Sequence, residues 1–361
     1  MSLRRRRHGA AAIAAVGGLA LLLAACSSSG TPSSSSSSGT KSTNLSGTLN
    51  GSGSTFQTVF QQAAISAFKS VQPGMTVNYG GGGSGKGRTD LAGGVVNFAG
   101  SDSPIPSTET ANFKGKTVLY FPVVIGPITL SYNLSGLSKP LQLTPPVIAD
   151  IFQAKVTKWN ASEIAAINPG VTLPNTPITL AVRSDSSGTT ANFSLFLVNS
   201  VGSAWKLGSA STISWPSSAL AESGNSGIAQ AVKSTPGAIG YVDYATAKAS
   251  SLTFASVKNK DGNYVAPSVT AASAAAAGTT VAPDLTFHAV WAPGATAYPI
   301  TYQSWDLVYA KQPNANDAAM LKAYLGYLLG DGQKLLSQLN YAPLPSSIDS
   351  QAVAQLSKIT G

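Results

Sequence analysis

The sequence predicts an α/β fold. Runs rich in β-branched and aromatic residues (TVNY, VNFAG, ITLAV) alternate with segments of helical period, such as TVFQQAAISAFKSV and DAAMLKAYLGYLLGDGQKLLSQL. The apolar run from Val118 to Tyr132, interrupted by Pro122 and Pro127, is too long for one ordinary strand and long enough to run from one domain to another. YPITYQSWDLVY, near residue 300, has the same character and reads as the return crossing. At 361 residues and 43% hydrophobic content, the chain has room for two domains with well-formed cores.

From the N-terminus, a basic start precedes the apolar stretch AAAIAAVGGLALLLAA, which is too short and wrongly flanked for a membrane span and ends at the only cysteine. Residues 1–25 therefore read as a signal peptide. Leu23-Ala24-Ala25-Cys26 resembles a bacterial lipobox, whose cysteine is lipidated and becomes the mature N-terminus. A soluble secreted protein and an uncleaved anchor are the alternatives, but a lone cysteine without a disulfide partner needs another reason to be there. After Cys26, residues 27–44 are Ser, Gly and Thr with hardly an apolar side chain, so residues 26–44 form a lipidated, flexible tether with a mean reach of about 25 Å. The folded part begins near Leu45.

Only 10% of residues are charged, and the net charge is +9. Four of those positive charges, Arg4 to Arg7, lie in the leader, leaving +5 spread over a long chain with no basic run. This argues against a nucleic-acid partner.

Three loops rich in Gly, Ser and Thr precede probable helices. Gly51-Ser52-Gly53-Ser54-Thr55-Phe56 opens the first, on which Phe60, Ala64, Ala67, Phe68 and Val71 share a face. Gly80 to Lys86 follows the TVNY strand, and its glycines let the backbone approach a ligand closely. Arg183-Ser184-Asp185-Ser186-Ser187-Gly188-Thr189 precedes a helix with Phe193, Phe196 and Leu197 at helical spacing. Unpaired amides at a helix start attract negative charge. Arg183 adds a planar fork that fits phosphate or carboxylate, and Asp185 is placed to hold the fork. Taken alone, this third loop is equally an ordinary N-cap with a surface salt bridge. Three such loops in one chain favour an oxyanion site.

Gly80 to Lys86 also fits GxxxxGK, but Gly87 follows where a nucleotide-binding loop needs Ser or Thr for Mg²⁺, which excludes an NTPase. Asp102, in NFAGSDSPI, would repel an oxyanion unless that ligand brings a proton to donate, and would so favour protonated phosphate over sulfate. The alternative is a turn residue capping local backbone. A phosphatase using a cleft Ser or Thr would need an activating base or metals. The mature chain has one histidine, His288, and no clustered His or Asp ligands, so no metal or cofactor is expected. The stretch Lys258 to Ala297, with AASAAAA inside it, reads as an exposed helix, a variable loop or a packed helix.

At these residues the chain resembles the phosphate-binding proteins of the bacterial high-affinity phosphate ABC transporter. The resemblance extends over nearly all of residues 45–361 and includes IFQAKVTKWN, INPGVTLP, NSGIAQAVKSTPGAIGYVDYA and YPIT. It implies a two-lobed, type II periplasmic-binding-protein-like fold with a two-strand hinge, lobe 1 being 45–124 plus 300–361 and lobe 2 being 125–299. Thr55, Phe56 (through its backbone), Ser84 and Asp102 would bind phosphate from lobe 1, and Arg183, Ser187, Gly188 and Thr189 from lobe 2, with Asp185 orienting the arginine. Gln57 departs from a common Pro and Gly85-Lys86 from a more usual Ser-Gly, which leaves Lys86 to add positive potential at the cleft mouth. The implied protein is a monomeric receptor, not an enzyme, lipid-anchored at Cys26 on the outer face of the cell membrane. It would deliver inorganic phosphate to permease subunits; another oxyanion is the alternative ligand.

Overall fold

The computed structural model describes residues 45–361, so the signal peptide, Cys26 and the tether lie outside the described residues. In chain order the strands are β1 (Gly47–Gly53), β2 (Met75–Gly81), β3 (Phe98–Ser101), β4 (Val118–Tyr132), β5 (Gln142–Leu143), β6 (Thr179–Arg183), β7 (Leu220–Glu222), β8 (Ala238–Asp243), β9 (Thr253–Phe254), β10 (Ser256–Lys258), β11 (Tyr264–Val265) and β12 (Thr301–Tyr309). The helices are α1 (Thr58–Val71), α2 (Ser84–Ala92), α3 (Pro145–Phe152), α4 (Ser162–Ala166), α5 (Gly188–Val201), α6 (Gly224–Ser234), α7 (Tyr244–Ala249), α8 (Val269–Ala277), α9 (Ala315–Leu329) and α10 (Ser346–Gln355). Among the described residues, no helix is long and apolar enough to cross a membrane.

One nine-stranded sheet runs in the order β2-β1-β3-β12-β4-β8-β6-β7, with β9 also on β4. Its two ends are parallel: β1 pairs with β2 and β3, and β6 with β7 and β8. Both ends hang on β4, a single continuous strand whose residues 118–127 pair with β12 and whose residues 128–132 pair with β8. The sequence run judged too long for one strand is therefore one strand shared by two halves of the sheet. All but its first residue are buried, which is why it reads as unbroken apolar sequence. Pro122 is accommodated by an irregularity in register at Ser304/Trp305, where a missing amide costs no regular ladder bond. A small second sheet, β11-β10-β5, lies off this frame.

In α1, Phe60, Ala64 and Phe68 are buried as the helical spacing predicts, and Ala67 is half-buried. Val71 is not on the buried face: it is half exposed, in the last position of the helix, where the chain turns toward β2. Gln61 is buried instead, because its amide answers the Asp306 carboxylate. The Ala-rich tract is a packed helix: Ala271, Ala272, Ala275 and Ala276 of α8 are buried, and α8 lies against β4 and β12. Small side chains let it approach the sheet closely. Ser268 caps it by accepting the Ala271 amide.

Candidate functional site: three loops meeting at one buried carboxylate

Each Gly/Ser/Thr loop leaves the C-terminal end of a strand. Thr55 and Phe56 follow β1, the loop Gly82-Gly83 follows β2, Asp102 follows β3, and Ser184 to Ser187 follow β6. Strands β1, β2 and β3 are parallel and point their ends one way, while β6, reached through the antiparallel steps β3-β12-β4-β8, points the opposite way; helix starts follow directly at Ser84 (α2) and Gly188 (α5). The first helix spans Thr58–Val71, the segment the sequence pattern marks as helical, with Gln57 in helical conformation ahead of it.

The structure brings these loops together from opposite halves of the sheet. A methyl group on Gly188 would lie 2.5 Å from both Ser84 Oγ and Asp102 Cβ, so only glycine fits there. Gly83 has φ +91, and a side chain on it would run into Asp185 Oδ2 at 2.2 Å. Gly85 donates its amide to the Ser186 carbonyl at 2.9 Å, and Asn192 Nδ2 donates to the Asp102 carbonyl at 2.6 Å. Ser84, Asp102, Arg183, Ser187, Gly188 and Thr189 are all buried, with Phe56; Thr55 is half-buried.

Arg183 and Asp185 are not a surface pair. Their side chains are 1% and 14% exposed, Nε donates to Asp185 Oδ1 at 2.6 Å, and Nη2 donates to Oδ2. The Asp185 carboxylate, which also accepts the Gly224 amide, is pushed up by burial but more strongly held down by the arginine, so it stays ionised below the usual range. This fork uses Nε and Nη2 and leaves Nη1 buried with no partner. Thr189 Oγ1 is likewise buried and unpartnered. Buried donors left in this state cost about 1–3 kcal/mol each unless something answers them. Ser187 does act as the N-cap of α5, its Oγ accepting the Thr190 amide at 3.1 Å. The loop therefore caps a helix, as one sequence reading has it, but its Arg183–Asp185 pair is buried and not on the surface.

Asp102 is saturated on one side only. Its Oδ1 accepts from the Ser54 and Ser304 hydroxyls, each at 2.5 Å. Its Oδ2 has only Ser84 Oγ at 3.4 Å, and Ser84 Oγ in turn accepts the Asp102 amide at 3.1 Å. Burial pushes the Asp102 carboxyl up to about 6, against the lowering effects of Ser304, Ser54, the Arg183 charge and Ser84. It is thus an ionised acceptor at neutral pH with one oxygen engaged only by the long Ser84 bond, and no simple turn cap. The Phe56 amide donates to Ser54 Oγ at 3.1 Å. Phe56 is fixed from behind by stacking on Tyr302 at 4.2 Å between centroids and by the Tyr341 hydroxyl on its carbonyl at 2.7 Å.

Several residues of this site carried no signal in the sequence reading. Ser54 and Ser304 donate to Asp102, and Gln303 Nε2 reaches the Asp102 carbonyl at 3.3 Å. The available hint was the polar set Gln303, Ser304 and Asp306 inside an otherwise apolar strand. Gln57 is buried and donates to Ser304 Oγ at 2.7 Å and the Trp305 carbonyl at 2.9 Å, so it braces the serine that holds Asp102. Lys86 does not project free charge: its Nζ is bound to Asp90 at 2.6 Å on the outer side of α2. His288 is exposed on a side cavity of about 380 Å³ with Ser103, Glu109 and Asn192.

Residues 37–331 match the family model described as a PBP superfamily domain. Over 316 residues the chain is 35% identical to the phosphate-binding protein PstS 3 of Mycobacterium leprae, covering 84% of this chain and 85% of that protein. The chain belongs to the PstS family of phosphate-binding proteins. The family also includes PstS 2 of Mycobacterium tuberculosis, 33% identical over 330 residues (86% of this chain, 87% of that protein), and PstS of Xylella fastidiosa, 34% identical over 323 residues (87% and 85%). The α/β fold is shared with a solved high-affinity periplasmic phosphate-binding protein, PfluDING, at TM-score 0.71 and 22% identity, covering 86% of this chain and 94% of that one. A phosphate ABC transporter substrate-binding protein from Clostridium perfringens has TM-score 0.61 and 17% identity (83% and 100%).

Proposed function

We propose that this chain is an extracytoplasmic solute-binding protein that captures inorganic phosphate between two lobes and hands it to an ABC transporter permease. The lobes are residues 45–124 with 300–361 and residues 125–299, hinged where β4 exchanges β12 for β8 and where the chain re-enters at β12. The observation that carries the reading is the pairing of opposites in one buried spot. Arg183 Nη1 and Thr189 Oγ1 are donors without partners, and Asp102 Oδ2 is an acceptor in need of a proton.

A ligand satisfying both must be an oxyanion that still carries a hydrogen. Phosphate at neutral pH does; sulfate does not. In this reading Thr55, the Phe56 amide (exchanging Ser54 Oγ for the ligand), Ser84, Ser187, Gly188 and Thr189 donate to oxygens, Arg183 supplies charge, Asp185 orients it, and Asp102 accepts the ligand's proton. Closure removes water, so each charge-assisted bond strengthens in a lower dielectric. The relatives and solved structures named for phosphate binding support the choice of ligand and the extracytoplasmic setting. We also propose anchoring through a lipid on Cys26, action as a monomer, and no enzymatic role. The Ser187 hydroxyl is already engaged as a helix cap, and no group of three or more His, Cys, Asp or Glu with metal-holding geometry occurs among the described residues.

Equilibrium dialysis with labelled phosphate tests the proposal. Micromolar phosphate should bind and equimolar sulfate should not displace it. Absence of binding, or equal competition by sulfate, would refute it. Release of phosphate from a chromogenic ester, abolished by Ser187→Ala, would instead establish a phosphatase.

A further inference from the structure

We infer that Asn225 is a latch between the two lobes that fixes the Thr55 hydroxyl as a donor aimed at the bound anion, making it a positioning residue for the proposed phosphate site. The inference rests on the phosphate reading above. Asn225 is 1% exposed in the first turn of α6, on residues 125–299, while Thr55 follows β1 in the other half of the fold. Its backbone amide and its side-chain Nδ2 both donate to Thr55 Oγ1, at 3.3 Å and 3.2 Å.

A threonine hydroxyl has two acceptor lone pairs and one hydrogen. With both lone pairs taken by Asn225, the oxygen can accept nothing more, and the hydroxyl can only donate. Without Asn225 the same hydroxyl could as easily offer a lone pair to an anion, which is repulsive. Asn225 itself is held: its Oδ1 accepts the Asp243 amide at 3.4 Å, so the side-chain NH₂ is the end that faces Thr55. The neighbouring Gly224 amide donates to Asp185 Oδ1 at 3.1 Å, on the carboxylate that holds the Arg183 fork. The start of α6 therefore touches the arginine's holder on one side and the opposite lobe's hydroxyl on the other, and closure sets both at once.

The test uses the mature protein with Asn225→Ala, Asn225→Asp, Thr55→Val and the Asn225→Ala/Thr55→Val double variant, titrated with inorganic phosphate and followed by stopped flow. Asn225→Ala should weaken phosphate binding about tenfold, mainly through faster dissociation. Asn225→Asp should be worse than Asn225→Ala, because a carboxylate there takes the Thr55 proton instead of leaving it for the anion. In the Thr55→Val background, Asn225→Ala should cost less than about threefold. Three results would overturn the latch: unchanged affinity in Asn225→Ala, an equal loss in both backgrounds, or a milder effect of the near-isosteric Asn225→Asp than of Asn225→Ala. If the wild type binds no phosphate, the functional reading fails. The latch is then judged on ligand-free protein carrying a fluorophore pair at the exposed positions Val71 and Leu220. Asn225→Ala must lengthen that distance, and an unchanged distance refutes it.

Discussion

Asp102→Asn is the substitution that bears most directly on ligand choice. The two bonds at Oδ1, from Ser54 and Ser304, survive in the amide, because the carbonyl oxygen of asparagine accepts both hydroxyls. That fixes the new NH₂ at the position of Oδ2, where the wild type presents an acceptor engaged only by the long Ser84 bond. Phosphate loses one charge-assisted bond from its own hydroxyl, worth about 1.5–3 kcal/mol, or roughly 10- to 150-fold in affinity. It recovers part of this by turning an unprotonated oxygen to the amide. Sulfate loses a repulsion and gains a neutral donor worth about 0.5–1.5 kcal/mol. Both anions then meet the same donor, so the quantity to follow is their ratio, which should fall by about 100-fold. Calorimetric titration with each anion at pH 8, where wild-type Asp102, pushed up to about 6, is ionised, gives that ratio. A folded variant whose phosphate-to-sulfate preference stays within about threefold of wild type would refute the role assigned to Asp102.

Gly188→Ala should abolish tight phosphate binding with little change in thermal stability, since on the proposed division into lobes the added methyl would meet Ser84 and Asp102, at 2.5 Å, across the cleft and not within its own lobe; a calorimetric titration beside a melting curve checks both. Arg183→Lys should reduce phosphate affinity by about 10- to 100-fold, because one ammonium cannot both hold Asp185 through two bonds and face the ligand. An affinity within a factor of about three would count against the fork. Ligand-free protein should melt at a lower temperature at pH 8 than at pH 5. Burial raises Asp102 and Asp243 to about 6 and Asp306 to about 7, so the folded state holds protons that the unfolded chain releases near 3.8, and stability declines as pH rises from about 4 to 7. Asp185, shifted the other way, contributes only below that window. A melting temperature that rises over pH 5–8 would contradict these assignments.

Much of the fold was legible because its signals are local. Strand and helix periods, glycine-rich turns at strand ends and the buried apolar length of β4 all follow from neighbours in sequence. The same holds for the Arg183-to-Thr189 turn, whose arginine and holder are two residues apart. Val71 and the Ala-rich tract were harder, since the end of a periodic segment and a run of small residues take their burial from whatever packs on them. Gln57, read as a departure of uncertain effect, turned out to brace Ser304, 247 residues away.

By itself, the sequence determined that three anion-suited turns exist, that an α/β scaffold carries them, and, through its resemblance, which residues to propose for the site. Only the tertiary structure decided how each atom is used. It turns Asp102 so that two serines saturate one oxygen and only a long Ser84 bond reaches the other, strips Nη1 of Arg183 of partners, and sets Asn225 on Thr55 across 170 positions of chain. Such assignments depend on which donors meet which lone pairs in a water-poor space. That is fixed by the packing of distant strands and not by any local pattern.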